Sequence, residues 1–138
     1  MNAFFPALLL ASTFALASEN DAETCLRTKV WDGYSDGWGI RTMTSTQLDA
    51  GRTRNYLVTL YKGNEYQVTT CGVAGFKNID VLLYDTTGTV IVRDTTTDRE
   101  PKVTFKPDKT ASYYIVLYAR ETDARTQKGD VAMAVVYR

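Results

Sequence analysis

Short runs of alternating apolar and polar residues, separated by turn-forming residues, make up most of the chain from residue 54 to residue 118. The runs are rich in Val, Ile, Leu, Tyr and Thr, and Gly, Asn, Asp or Pro interrupts them at near-regular intervals. This spacing is typical of β-sandwiches and barrels, in which short strands are joined by tight turns. The pattern therefore predicts an all-β domain, which we place at residues 40–138.

Period-two alternation predicts about eight strands and assigns one face of each strand to the core. The predicted strands span residues 40–45, 55–61, 66–71, 80–85, 89–93, 102–105, 111–118 and 130–137. Residues 62–65 (KGNE) and 86–88 (TTG) are turn signals that predict two hairpins. Several strands are apolar on both faces, which predicts that a helix or a loop covers the outer side of a sheet.

The segment before the strands follows a different pattern. Apolar residues recur there every four positions, as on one face of an α-helix: Leu26, Val30, Tyr34 and Trp38. Asn20 and Glu23 form a capping box, which predicts a short N-terminal helix that begins just after Asn20. Gly33 and Gly37 would each cost about 1 kcal/mol in a helix interior. We therefore expect the helix to end near Trp31, in a turn-rich tail.

The N-terminus predicts export. Residues 3–16 (AFFPALLLASTFAL) are apolar and uncharged, and the small-x-small pattern that signal peptidases cleave occupies residues 15–17 (ALA). The run is too short to span a bilayer comfortably. We predict a signal peptide at residues 1–17 and a secreted or periplasmic mature protein that begins at Ser18. A retained anchor and an N-terminal strand are the alternatives. No later stretch is long and apolar enough to cross a membrane.

The two cysteines, Cys25 and Cys71, form an even set in a chain that we expect to be exported. Disulfides form and persist in oxidising compartments, so we predict that these two residues pair. The bond would tether the N-terminal segment, residues 18–39, to the sheets. A metal site and a reactive thiol are the alternatives, but the chain has no CxxC motif and no histidine to complete a set of ligands.

Charge and histidine content narrow the class of function. The chain has 16 basic and 16 acidic residues and no Lys/Arg block, which argues against a surface for nucleic acid or for anionic lipid. It contains no histidine, which excludes Ser-His-Asp and Cys-His catalysis and His-ligated zinc. Carboxylate pairs, a Ser/Lys dyad and oxygen-ligated metals remain open, yet none shows a recognisable spacing. We therefore predict that the protein is not an enzyme, with a carboxylate-based hydrolase as the alternative.

Three patterns resemble the bacterial pre-peptidase C-terminal (PPC) domain. They are AG-x-T-x-x-Y-x-V-x-L-x-x-G-x-x-Y-x-V in residues 50–68, D-V-x-L-Y-D-x-x-G in residues 80–88 and F-x-P-x-x-x-x-x-Y-Y-I-V in residues 105–116. The resemblance covers residues 50–137 and implies a jelly-roll-like antiparallel β-sandwich without catalysis of its own. It also implies binding of collagen or polysaccharide, in some relatives with calcium. Here we expect the domain to stand alone after its signal peptide, and residues 19–21 (END) lack the proline of the family's acidic N-terminal segment.

Asp80, Asp85 and Asp94 are candidate calcium ligands, because Ca²⁺ takes several oxygen ligands and carboxylates near strand ends can supply them. Asp80 and Asp85 are an odd number of residues apart, which places them on opposite faces of one strand. The alternative, which the pattern favours, is that Asp85 begins a turn by hydrogen bonding to nearby backbone and that the other two are strand-edge charges. Residues 32–37 (DGYSDG) lack the ligands of an EF-hand loop.

Five aromatic residues form a candidate binding surface for sugar rings or a collagen-like peptide: Trp31, Tyr34, Trp38, Tyr61 and Tyr118. Aromatic side chains offer a large contact area at a low entropic cost. The alternative, favoured by the helical spacing, is that the stripe in residues 31–38 is the buried face of the helix. We predict a non-catalytic binding or accessory β-sandwich with a protein or polysaccharide partner and no cofactor except a candidate calcium ion. An envelope-associated structural protein without a ligand is the alternative.

Overall fold

The computed structural model describes residues 20–138, so the predicted signal peptide lies outside the described residues. In this range one helix, α1 (Asp21–Tyr34), precedes eight strands. The strands are β1 (Gly39–Asp49), β2 (Thr53–Leu60), β3 (Tyr66–Gly72), β4 (Phe76–Asp85), β5 (Val90–Asp94), β6 (Lys102–Phe105), β7 (Ala111–Thr122) and β8 (Lys128–Tyr137). No helix of the described part is long and apolar enough to span a membrane. The predicted number of strands and the N-terminal helix are confirmed.

The strands form two four-stranded antiparallel sheets that pack face to face. The first sheet has the order β1-β8-β3-β6, and the second has the order β2-β7-β4-β5. Alternate side chains of both sheets fill the space between them, as strand geometry requires. Large, fully buried members of this core include Leu60, Tyr66, Phe76, Ile79, Leu83, Ile115, Leu117 and Met133. The predicted all-β sandwich is confirmed.

The two predicted hairpins have different outcomes. Strands β4 and β5 pair through the TTG turn, where Gly88 has a φ of 87°, so this hairpin is confirmed. The prediction of a hairpin at residues 62–65 is wrong, because β2 belongs to the second sheet and β3 to the first. Gly63, with a φ of 97°, turns the chain from one sheet to the other. A local turn signal shows that the chain reverses but not whether the flanking strands pair.

Helix α1 begins as predicted and ends three residues later than predicted, at Tyr34. The Asn20 side chain caps it by accepting a hydrogen bond from the Glu23 N–H at 2.8 Å. At the other end the Trp38 N–H donates to the Gly33 carbonyl at 3.2 Å, and Gly37 reverses the chain with a φ of 87°. This folding back of the chain onto Gly33 offsets the low helix propensity of glycine.

One side of α1 packs on the outer face of the first sheet. Ala22 and Leu26 are fully buried there against β8, whose small residues Ala132 and Ala134 let the helix approach closely. The intervening residues of β8 face the opposite way, into the core between the sheets: Val131, Met133 and Val135. β8 is therefore apolar on both faces because its outer face lies under a helix.

A disulfide bond between Cys25 of α1 and Cys71 of β3 joins the helix to the sheet. The predicted pairing is confirmed, and its 46-residue separation makes it a long-range tether. Lys29, one turn further along α1, forms an ion pair with Glu100 at 3.1 Å, and a Glu100 oxygen lies 3.2 Å from the Cys25 sulfur. These contacts hold α1 in one position over β3 and β8, and that position defines the candidate site.

Candidate binding groove between the helix and the edge strand

A bulge in β1 brings two apolar side chains to the helix side of the first sheet. The register between β1 and β8 shifts between Ile40 and Thr42, so Ile40 pairs with Val136 and Met43 pairs with Ala134. Both partners belong to the cluster beneath α1. Without the shift, residues three apart would point to opposite faces of the strand. The bulge therefore places Ile40 and Met43 on the same face, beside the helix.

Trp31 and Tyr34 lie on the exposed side of α1. The exposed fraction of the side chain is 77% for Trp31 and 72% for Tyr34, the largest values among the large apolar residues of the described part. Their rings stack, with centroids 6.3 Å apart and planes at 12°. Helical spacing puts residues three apart next to each other on one face. The sequence favoured burial of this stripe, but these two residues face solvent.

Trp38 is the buried member of the stripe. Its side chain is 8% exposed and packs with Leu26 and Val136 in the cluster beneath α1. The Arg138 guanidinium lies 4.5 Å from the centre of the Trp38 ring, as in a cation–π contact. Trp38 therefore forms the floor of the region between α1 and β1, while Trp31 and Tyr34 form its outer wall.

These residues enclose an open cavity of about 800 Å³, which we call the α1–β1 groove. It is lined by Arg27, Thr28, Val30, Trp31, Tyr34, Trp38, Gly39, Ile40 and Met43. Among residues 20–138, Arg27 is the only charged residue of this lining, and most of the surface is apolar. Concave apolar surfaces with a few polar groups are typical of binding sites. The groove can bind apolar side chains, and the described residues of its lining include no carboxylate to act as an acid or a base.

A second cavity lies on the other side of β1, between the edges of the two sheets. This β1–β2 groove has a volume of about 610 Å³ and is lined by Arg41, Thr42, Met43, Thr44, Tyr56, Leu57, Val58, Thr59, Ile115 and Met133. Ile115 and Met133 are core residues, so the sandwich is open along this side. Arg41, the only charged residue that the described part of the chain contributes to this lining, lies over the Tyr61 ring at 5.6 Å. Strand β1 thus separates two cavities.

The five predicted aromatic residues do not share one surface. Trp31, Tyr34 and Trp38 line the α1–β1 groove, whereas Tyr61 lies against Arg41, which lines the β1–β2 groove. Tyr118 pairs with Thr53 and Asp80 in the second sheet, away from the helix. Sequence reasoning missed Ile40 and Met43, because the bulge that brings them together has no signal in the alternation.

Asp85 and Asp94 are occupied by turn hydrogen bonds. One Asp85 oxygen accepts from the Thr87 hydroxyl at 2.6 Å and from the Thr87 and Thr89 N–H groups at 2.9 Å, and these bonds lower the pKa of Asp85. Burial raises the pKa of Asp94, but hydrogen bonds from Thr96 and the Lys102 N–H outweigh burial and lower it overall. Both carboxylates therefore stabilise local turns.

Asp80 is buried in the centre of the second sheet and is not the strand-edge charge considered from the sequence. One of its oxygens lies 3.7 Å from the Arg120 guanidinium, and the other is buried without a hydrogen-bond partner. Burial raises the pKa of Asp80, the Arg120 charge partly offsets this effect, and the Asp94 charge adds to it. Within residues 20–138, the three aspartates do not bring three carboxylates within 4.8 Å of one another. The calcium site stays a prediction.

Comparison of the sequence with protein families and with curated proteins finds no match. Solved structures with a similar fold include a domain of a collagenase and a lysozyme inhibitor. The pre-peptidase C-terminal domain of collagenase from Bacillus anthracis has a TM-score of 0.55 and 15% identity, over 70% of this chain and 90% of that chain. Aeromonas hydrophila PliG, a periplasmic lysozyme inhibitor of g-type lysozyme, has a TM-score of 0.51 and 12% identity, over 70% of this chain and 85% of that one. The chain therefore has a β-sandwich fold like that of a PPC domain.

Proposed function

We propose that this protein is an exported, non-catalytic binding module whose α1–β1 groove takes apolar side chains of a protein partner. The observation that carries the proposal is the stacked pair of Trp31 and Tyr34, which is mostly exposed beside an apolar groove. Contiguous exposed apolar surface on a folded domain is typical of interaction sites. Aromatic residues are also enriched among those that dominate binding energy.

The lining of the groove favours a protein over a polysaccharide. A bound sugar needs hydrogen-bond partners for its hydroxyl groups, because a polar group that is buried without one is destabilising. Among the described residues, the polar groups that line the groove are few: the side chains of Arg27 and Thr28 on the helix, the Tyr34 hydroxyl and two indole N–H groups. PliG, whose fold is similar, is described as an inhibitor of a lysozyme. A sandwich of this shape is thus compatible with protein recognition.

Two further features support export and a role without catalysis. The Cys25–Cys71 disulfide is typical of extracytoplasmic proteins, and the similar PliG structure is described as periplasmic. The carboxylates with a shifted pKa are distributed over turns and the second sheet, away from the groove. This distribution favours a binding module over a carboxylate-based hydrolase.

Selection of a displayed random-peptide library on the immobilised protein tests the proposal, with a glycan array screened in parallel. We expect peptides whose affinity falls about 30-fold in Trp31→Ala, because an aromatic residue at the centre of an interface typically contributes about 2 kcal/mol. The matched control is Tyr114→Ala, which removes an exposed aromatic residue from the second sheet and should leave affinity unchanged. Binding that is insensitive to Trp31→Ala, or restricted to glycans, contradicts the proposal.

A further inference from the structure

The edge strand of the first sheet next to the α1–β1 groove is long. Of the four edge strands in the described part, β1 is the longest, with 11 residues, against 4 for β6, 8 for β2 and 5 for β5. β1 pairs only with β8 within residues 20–138. The outer side of an edge strand carries backbone N–H and C=O groups that can pair with another strand.

The middle of β1 lacks the features that usually protect an edge. Natural edge strands are blocked by charged residues, proline or bulges. In β1 the bulge lies at one end, next to Arg41, and Asp49 lies at the other. Residues 42–47 (TMTSTQ) between them are uncharged, contain no proline and pair with β8 without a further shift. This stretch is long enough to pair with an extended segment.

The two grooves have the geometry that an added strand requires. Successive side chains of a strand point to opposite faces of the sheet. Beside β1, one face is the α1–β1 groove and the other is the β1–β2 groove, and Met43 contributes to both. An extended segment along β1 would therefore place alternate side chains in the two cavities. Backbone pairing supplies affinity and the cavities supply specificity in this mode of recognition.

Charge indicates the chemistry of the occupant. Arg41 lines the β1–β2 groove, and no carboxylate of residues 20–138 lines either groove. A segment that carries Asp or Glu among its apolar residues is complementary to this surface, and a basic segment is not.

A second copy of the chain fits the surface less well in the register that pairs its charges. Antiparallel pairing of two β1 strands about Ser45 would bring Arg41 opposite Asp49. In that register Gln47 lies opposite Met43, on the helix side of the sheet, so a polar side chain faces the apolar groove. Pairing of two copies in this register would thus place Arg41 beside Asp49 but would put no apolar side chain into the α1–β1 groove.

We propose that the partner contributes an extended segment, apolar with acidic residues, which adds to the first sheet as a fifth strand along β1 with alternate side chains in the two grooves. This inference rests on the proposed function and specifies how the same site is used. It predicts that successive side chains of a selected peptide lie in the two grooves in turn. It also predicts that only every second backbone N–H group of the peptide is needed for binding.

An N-methyl scan tests the inference. We take the tightest-binding peptide from the library, with about ten residues, the length of a long strand. It is synthesised in two N-methylated forms, one methylated at the odd positions and one at the even positions. N-methylation removes N–H donors, so one phase should weaken binding about tenfold or more, and the other should bind like the parent peptide. Met43→Glu, which places a carboxylate between the two grooves, should weaken the parent peptide, and Tyr114→Ala should not.

Three other outcomes would contradict this inference. If both methylated forms bind like the parent while Trp31→Ala still weakens binding, strand addition is wrong and the proposed function stands. If no selected peptide depends on Trp31, both proposals are wrong. Sedimentation that shows a dimer, dissociated by the peptide, assigns the β1 edge to a second copy and overturns the partner segment.

Discussion

The guanidinium of Arg138 lies 4.5 Å above the ring of Trp38, although the two residues are 100 positions apart in the chain. The same guanidinium donates to the Asp36 carbonyl at 3.3 Å and lies 3.6 Å from a Glu65 oxygen. The backbones of Arg138 and Glu65 also pair, with N···O distances of 2.9 Å and 3.0 Å. Arg138 thus connects the turn after α1 to the start of β3 and holds the floor of the groove.

Removal of this contact should destabilise the protein modestly. Arg138→Ala should lower the free energy of unfolding by about 1 kcal/mol, because a partly exposed cation–π contact and a surface ion pair each contribute little. Urea denaturation followed by tryptophan fluorescence measures the change. Arg138→Lys is the control: it keeps the charge but loses the planar group, so its effect should be smaller. Equal stability of wild type and Arg138→Ala would contradict this role.

Truncation of the two tryptophans should change the free energy of unfolding by very different amounts. Trp38→Ala should lower the free energy of unfolding by about 3 kcal/mol, because removal of a buried aromatic ring leaves a cavity. Trp31→Ala should change it by less than about 0.5 kcal/mol, because the ring is mostly in solvent. Chemical denaturation of both variants checks the difference. A large loss of stability in Trp31→Ala would place that ring in the core, as the helical spacing suggested.

The disulfide should contribute a large part of the stability. For the 46-residue separation of Cys25 and Cys71, the chain-entropy model gives about 4 kcal/mol, through restriction of the unfolded state. We expect the double variant Cys25→Ala/Cys71→Ala to show this loss in urea denaturation. Wild-type protein unfolded in the presence of a reductant should lose a similar amount. If the variant is as stable as the oxidised protein, packing of α1 alone holds the helix in place.

Asp80 should show an unusual dependence of stability on pH. Its pKa is raised in the folded protein, so its ionisation is destabilising above the folded pKa, and this effect is absent below the unfolded value of 3.8. Asp80→Asn should therefore match wild type at low pH and become relatively more stable as the pH rises to neutral.

Asp85→Asn is the control for this experiment and should behave with the opposite sign. The pKa of Asp85 is lowered on folding, so its contribution to stability is present above 3.8 and is lost as the pH falls through the folded pKa. Asp85→Asn should thus be less stable than wild type at neutral pH and should approach it in acid. Thermal unfolding from pH 2 to pH 7 measures both variants, and curves of equal slope for Asp80→Asn and wild type would contradict the assignment.

Alternation predicted the strands, the Asn20 capping box predicted the start of the helix, and the cysteine count predicted the disulfide. Alternation reports which side of a strand is buried, and the Asn20 cap is a local hydrogen bond, so both are visible without knowledge of the fold. The hairpin at residues 62–65 was not predictable in this way, because strand pairing depends on residues far away in sequence. The extension of α1 through Gly33 was not predictable either, because it depends on Trp38, which folds back and donates a hydrogen bond to the Gly33 carbonyl.

The sequence by itself determined that this chain is an all-β sandwich with a helix tied to it by Cys25 and Cys71, because periodicity and cysteine pairing are properties of short segments and of composition. The tertiary structure alone decided where the candidate binding surface lies. A bulge in β1 turns Ile40 and Met43 to one side, and the position of α1 exposes Trp31 and Tyr34 while it buries Trp38. Whether an aromatic residue on a helix is core or surface depends on how the helix is rotated against its sheet, and contacts distant in sequence set that rotation.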